Sequence, residues 1–132
     1  MVSILITAGP TREHFDDVRF LSNASSGRMG CALAEAAMAA GHQATLVLGP
    51  VEQTPPKGVR VISVTSALQM QNAAKDVFVT SDVLIAAAAV SDWRPAQRVP
   101  GKPARQPGGM TVELVPNPDI VAGLAANKGA RV

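Results

Sequence analysis

The sequence predicts an α/β fold with a mostly parallel sheet, and three observations carry that prediction. Short apolar runs alternate with segments of helical periodicity from the second residue onward. One run, Val83 to Val90 (VLIAAAAV), is apolar throughout, as a strand covered on both faces must be. A long stretch rich in Gly, Ser and Thr, Thr7 to Gly30, separates the first run from the first helical segment, where parallel α/β folds place ligand loops.

Taken in order, Val2 to Ile6 (VSILI) is the first strand, and TAGPTREHFDDVRFLSNASSGRMG (Thr7 to Gly30) is the connection that leaves it. Such connections usually take a few residues, and one this long in a compact domain is functional or disordered. Its Thr, Arg, Asn, Ser and Gly are ligand-contacting residue types, and apolar Phe20 and Leu21 are expected to anchor it. Gly30 to Ala40 is the first helix, stopped by Gly41. Ala44 to Leu48 is the second strand, ended by the Gly49-Pro50 turn signal. Val59 to Val64 (VRVISV) alternates as the third. Ser66 is placed to cap a helix from Ala67 to Val79, with Leu68, Met70, Ala74, Val77 and Phe78 apolar. Val83 to Val90 follows as the fourth strand, expected at the centre of the sheet. Trp93 to Gly109 reads as a long irregular segment, Thr111 to Val115 as a short strand and Asn117 to Asn127 as the last helix. This order builds a Rossmann-like three-layer sandwich, a mostly parallel sheet with helices on both faces.

Composition limits what such a chain does. At 132 residues it reads as one domain, 1–132, large enough for a real core. Its longest apolar run has eight residues, too few to span a membrane. The first strand starts at once, so no signal peptide is read, and cytoplasm is the expected location. A net charge of +2 is too small to argue for nucleic acid. The single cysteine, Cys31, excludes an internal disulfide and is read as a small core residue. His14 and His42 lack ligand spacing, so no metal site is assigned.

Ligands of open α/β sheets sit beyond the carboxyl ends of the strands, which brings together Thr7 to Gly30, the Ser91-Asp92-Trp93 exit of the fourth strand and the segment beyond it. Ser25, Ser26, Gly27 and Gly30 stand at a helix opening, where free N–H groups and the dipole favour phosphate or carboxylate. The same residues also serve as a serine cap with packing glycines. After Gly9 the next glycine is Gly27, which is no GxGxxG fingerprint and argues against an ordinary dinucleotide site. Arg19 offers a planar fork to an anion, and Asn23 offers both a donor and an acceptor to a reacting carbonyl. Arg19 can equally pair with Asp16 or Asp17, and Asn23 can cap a turn. Trp93 to Gly109 holds four prolines, three glycines, four basic residues and no acid, the composition of a mobile cationic flap over an anion.

The Thr7 to Gly30 stretch resembles the signature of phosphopantothenate–cysteine ligase (phosphopantothenoylcysteine synthetase) of coenzyme A biosynthesis. The resemblance continues through AAAAVSDWRP (Ala86 to Pro95), a lysine in the next loop and VPNPDIVAGLA (Val115 to Ala125). It implies a two-step ligation. The carboxylate of 4'-phosphopantothenate attacks CTP (or ATP), with Mg2+ shielding the triphosphate, to give an acyl-nucleotidyl intermediate; cysteine then displaces the nucleotide. By the same resemblance Asn23 acts on the acyl intermediate, with Arg19 its neighbouring motif arginine and Lys102 the lysine of the flap. Gly9, Ser26 and Gly27, then Ala89 and Asp92, then the turn Asn117, Pro118, Asp119 and Ile120 fall on nucleotide-binding positions, as does Lys102. Read without the family, Asn117-Pro118-Asp119 is a helix start with Asn117 as cap. A homodimer is implied, with the flap near the partner.

Departures from the family pattern set the alternatives. The family's domain continues with a further strand, helices and triphosphate-holding lysines that have no counterpart here, so the domain is expected to be incomplete at its C-terminus. Trp93 stands where tyrosine is common, and the flap has fewer lysines. No flavin half is present, so FMN is not expected. One rival is therefore a catalytically incomplete nucleotide- or phosphopantothenate-binding module. The other, a dinucleotide-dependent oxidoreductase, is disfavoured by the glycine spacing and by the absence of tyrosine.

Overall fold

The computed structural model describes residues 1–132. In chain order the elements are β1 (Ser3–Ala8), β2 (Arg12–His14), β3 (Phe20–Ser22), α1 (Arg28–Ala39), β4 (Gln43–Leu48), β5 (Arg60–Ser63), α2 (Ala67–Phe78), β6 (Val83–Ala86), β7 (Trp93–Pro95), β8 (Leu114–Pro116) and α3 (Ile120–Ala125). Four strands make a parallel sheet in the order β5-β4-β1-β6, with Ile6 level with Leu46 on one side and Ile85 on the other.

Alternation along β1 divides the core in two. Ile4, Ile6 and Ala8 join Leu46, Leu48 and α1's Cys31, Ala34 and Ala37 on one face. Leu5 and Val47 join Met70, Ala74, Val77 and Phe78 of α2 and Ile120 and Leu124 of α3 on the other. A period of two in the strand meeting a period of 3.6 in the helices gives the expected three layers. The small residues of α1 let it lie close to the sheet, and closest at Gly30, where an added Cβ would stand 2.1 Å from that of Ala8. Cys31 is buried there, and burial pushes its thiol pKa up, away from nucleophilic use. Ser66 caps α2 as anticipated, its hydroxyl accepting from Gln69 N while the Gln69 side chain accepts from Ser66 N.

Several expectations are corrected. The fourth apolar run is regular only over Val83–Ala86 and lies at an edge of the sheet, because β1 and β4 occupy its centre. Beyond Ala86 the chain stays beside β1's exit through single contacts, Ala87 N to Thr7 O and Ala89 N to Gly9 O, both at 2.9 Å. The long first connection contains an antiparallel hairpin, β2–β3, with its turn tied by Asp16. Phe20 and Leu21 do not anchor it in the core, since both are exposed. Phe20 instead carries Arg12 over its ring at 4.6 Å and tilts against His14 at 5.1 Å. Polar residues anchor the hairpin: buried Thr11, Glu13 and Asp16. The segment read as irregular from Trp93 opens with β7, which pairs antiparallel with β8, and the short strand is Leu114–Pro116 rather than Thr111 to Val115. α3 starts at Ile120 with Asp119, not Asn117, as its cap, accepting from Ala122 N at 3.0 Å.

Candidate active site

From β1 the chain steps outward to β4 and β5, then crosses back through α2 to β6 on the other side of β1. The order reverses between β1 and β6, and the crevice beyond the carboxyl ends at such a reversal is where open α/β sheets bind ligands. Pro10 and Ala89 bridge it in parallel. Asn23, just past β3, donates its Nδ2 to Ala89 O at 3.1 Å. One amide hydrogen and the Oδ1 remain for a ligand. Gly27 takes the left-handed conformation (φ 76°) that starts α1, and an added Cβ there would lie 3.6 Å from Gly9 Cα. At the start of α1 the Ser26 hydroxyl accepts from Arg28 N at 3.3 Å, while the N–H groups of Met29 and Gly30 have no acceptor in the protein. Gly9, Asn23, Ser26, Gly27 and Ala89 thus come together at the reversal.

Asn23, Ser25 and Ser26 line a cavity of about 660 Å³ together with Arg12 and Arg28 and, opposite them, Pro50 to Gln53. The two arginines were absent from the sequence reading. Arg28 carried a legible signal: a cation in a helix's first turn opposes the dipole and gains when an anion sits between them. It has no carboxylate partner in the protein.

Arg19 and Lys102 lie on a different cavity, of about 680 Å³, formed by Phe15, Asp16 and the loop from Ala96 to Glu113. The structure does not place them with Asn23. Arg19 Nε pairs with Asp16 Oδ2 at 2.6 Å, the first of the two pairings open in the sequence, and its guanidinium lies over the Phe15 ring at 5.3 Å. Burial alone raises the Asp16 pKa, but the N–H groups of Arg19 and Val18 and the Arg19 side chain outweigh it and hold the carboxyl below its ordinary 3.8. A lowered folded pKa stabilises fully above the unfolded value and is lost as pH falls through the folded one. Melting temperature is therefore expected to fall on acidification below about 3.8. Asp16→Asn should flatten that part of the profile, and an unchanged slope in the variant would refute the assignment.

The flap is clamped at its root. Asp17 Oδ2 accepts from Gly101 N at 2.6 Å, Gly101 O accepts from Asp17 N at 3.0 Å, and Phe15 O accepts from Val99 N at 2.9 Å. Lys102 follows the clamp directly and is exposed.

The Asn117 turn forms the third group. Asn117 N donates to Asp92 O at 2.8 Å, joining two predicted positions. Its amide, however, is committed within the protein: Nδ2 donates to Glu13 Oε1 (2.9 Å) and Ser91 O (2.8 Å), and Oδ1 accepts from Arg94 Nη1 (3.1 Å). Ile120 is core, so only its backbone is available to a ligand; Pro118 is half-buried and Asp119 caps α3. No three His, Cys, Asp or Glu side chains cluster to hold a metal ion, and no helix is long and apolar enough to cross a membrane.

Residues 1–132 match the DNA/pantothenate metabolism flavoprotein C-terminal domain family. The chain is 48% identical over 127 residues to the coenzyme A biosynthesis bifunctional protein CoaBC of Vibrio cholerae, covering 93% of this chain and 31% of that protein. It superimposes with a TM-score of 0.86 on the crystal structure of the C-terminal domain of a CoaBC, at 40% identity, covering 99% of this chain and 61% of the other. A Cab2 mutant in complex with phosphopantothenate-cysteine shares the fold at a TM-score of 0.81 and 20% identity, over 96% of this chain and 60% of its own. The chain spans about a third of the length of the curated relative it matches. With its whole length matched, the chain belongs to the DNA/pantothenate metabolism flavoprotein C-terminal domain family.

Proposed function

We propose that this domain carries the nucleotide-dependent ligation of 4'-phosphopantothenate to cysteine in coenzyme A biosynthesis. The observation that carries the reading is the Asn23–Ala89 hydrogen bond at the β1/β6 reversal, which sets the remaining amide hydrogen and Oδ1 of Asn23 beside the unbonded Met29 and Gly30 N–H groups of α1 and the Arg12–Arg28 cavity. A site of donors and cations whose serine hydroxyls are bonded to backbone groups and to no basic side chain suits a reaction whose nucleophiles and leaving groups all belong to the substrates. CoaBC proteins, by name, belong to coenzyme A biosynthesis, and the Cab2 complex holds the ligation product on this fold.

In the first step a carboxylate oxygen of phosphopantothenate forms a bond to the α-phosphorus of CTP, and the bond to pyrophosphate breaks. In the second the cysteine amine attacks the acyl carbon, the nucleoside monophosphate leaves and the amine loses a proton. Asn23 donates to the acyl oxygen as charge develops there. Lys102 and Arg19 lie along the flap cavity, where a cation offsets phosphate charge. No three metal-ligating side chains cluster in the chain, so Mg2+ would enter with the nucleotide and offset the charge of its phosphates. The exposed apolar residues of the β7–β8 region, Trp93, Met110 and Leu114 among them, suit a homodimer contact near the flap.

The deciding measurement is pyrophosphate release from CTP and from ATP, with 4'-phosphopantothenate and Mg2+, with and without cysteine. Release that requires phosphopantothenate and rises with cysteine is the expected result. Folded protein that binds CTP without release would instead be a binding module. Lys102→Ala is expected to slow release about a hundredfold with an unchanged melting temperature, as loss of one charge-stabilising group does; wild-type release by that variant would remove Lys102 from the chemistry.

A further inference from the structure

Glu13 is the residue that the proposed chemistry leaves unused and the structure treats with most care. It sits mid-way along β2, 3% exposed, with no cation paired to it. A buried carboxylate needs compensation, and here it comes from N–H groups of two distant segments. Oε1 accepts from Ala67 N at 3.0 Å, the first residue of α2, where the helix dipole favours an anion. The same oxygen accepts from Asn117 Nδ2 at 2.9 Å. Asn117 passes the constraint on, through its amide to Ser91 O and through its backbone N to Asp92 O. One carboxylate therefore ties the hairpin, the α2 start, the β6 exit and the turn before α3 into a single unit.

We propose that Glu13 is a positioning residue for nucleotide: it acts through Asn117 to set the Ser91–Asp92 exit and the Asn117–Ile120 turn. Asn117's amide has both hydrogens and an oxygen lone pair engaged inside the protein. Its part at the site is to fix the backbone of the turn, and Glu13 fixes Asn117. Asn23 is held by a separate bond, to Ala89 O, so Glu13 acts on the nucleotide turn and not on the acyl step. This inference rests on the ligase reading, in which the turn and Asp92 face nucleotide.

The test uses the single tryptophan, Trp93, which follows Asp92 and lies level with Pro116 across the β7–β8 pair. CTP is titrated by its fluorescence, and the KM values for CTP and for phosphopantothenate are compared. Glu13→Gln, which keeps an acceptor but loses the charge, is expected to weaken CTP about tenfold while the phosphopantothenate KM stays within about twofold. In Glu13→Gln/Asn117→Ala the loss should match that of Asn117→Ala alone, because one residue acts through the other. Should Glu13→Gln not fold, Glu13→Asp, a shorter carboxylate out of reach of Asn117, reads the same split. Unchanged CTP affinity, equal loss for both substrates, or an additive double variant overturns the inference while the ligase reading stands. Wild-type protein that binds no CTP overturns both.

Discussion

Asn23→Asp is expected to release pyrophosphate from CTP in a single turnover and then stall, with the acyl-nucleotidyl intermediate accumulating and cysteine failing to discharge it. The amide now gives one hydrogen to Ala89 O and keeps one for a ligand. A carboxylate at this position is acceptor-only when ionised, so it loses both donors and faces the Ala89 carbonyl with like charge. The first step needs a cation near the phosphates, which Asn23 does not supply. The second needs a donor where charge develops on the acyl oxygen, and removing one such donor typically costs a hundred- to about a thousandfold in rate. Quench-flow measurement of pyrophosphate and amide product separates the steps: a burst of the first without the second is the expected pattern. Loss of both together, from folded protein, would remove Asn23 from the acyl step.

The layers of the fold were legible because they depend on local periodicity. The apolar face of α2, its Ser66 cap and the apolar run of β1 are properties of neighbouring residues, and each appears where the sequence places it. The position of β6 was not, because apolarity reports burial and not rank in the sheet: Ala86 to Val90 is apolar yet mostly outside regular structure, running beside the β1 exit instead. The hairpin inside Thr7 to Gly30 was missed for a related reason. Its three-residue strands show too few alternations to read, and its anchors are polar groups whose partners lie far along the chain, Glu13 with Ala67 and Asn117, and Thr11 with Ser91. Asn117 illustrates the limit well. Its residue type and its place before proline indicate a helix cap, and only the tertiary structure, by setting Glu13, Ser91 and Arg94 around it, claims its amide for another task.

Two glycines carry the largest stability effects, and they differ in a way that tests why they are glycine. Gly30→Ala would put a Cβ 2.1 Å from Ala8 Cβ, where carbon atoms need about 3.5 Å or more. Helix α1 must then lift from β1, at a cost of about 3 kcal/mol or more, which is roughly 10 °C in melting temperature for a chain of this size. The obstacle is one methyl group, so Ala8→Gly should restore most of the loss; the next contacts, Ala8 Cα at 3.2 Å and Leu46 Cδ1 at 3.8 Å, need only small adjustments. Failure of that rescue in calorimetry would show that Gly30 is required for some reason other than helix-to-strand approach. At Gly49 an added Cβ would fall 1.7 Å from Pro10 O and 2.8 Å from Pro10 C, and no side-chain change relieves a collision with backbone. Gly49→Ala must move the Pro10 segment itself, which bridges Ala89 and, through it, holds Asn23. It is expected to yield no stably folded protein, or a folded form in which the β1/β6 crevice has lost its CTP affinity. A variant with native stability and native CTP binding would show that β1 can leave the sheet by another path, and that the close contact of Gly49 with Pro10 is not what holds the crevice in place.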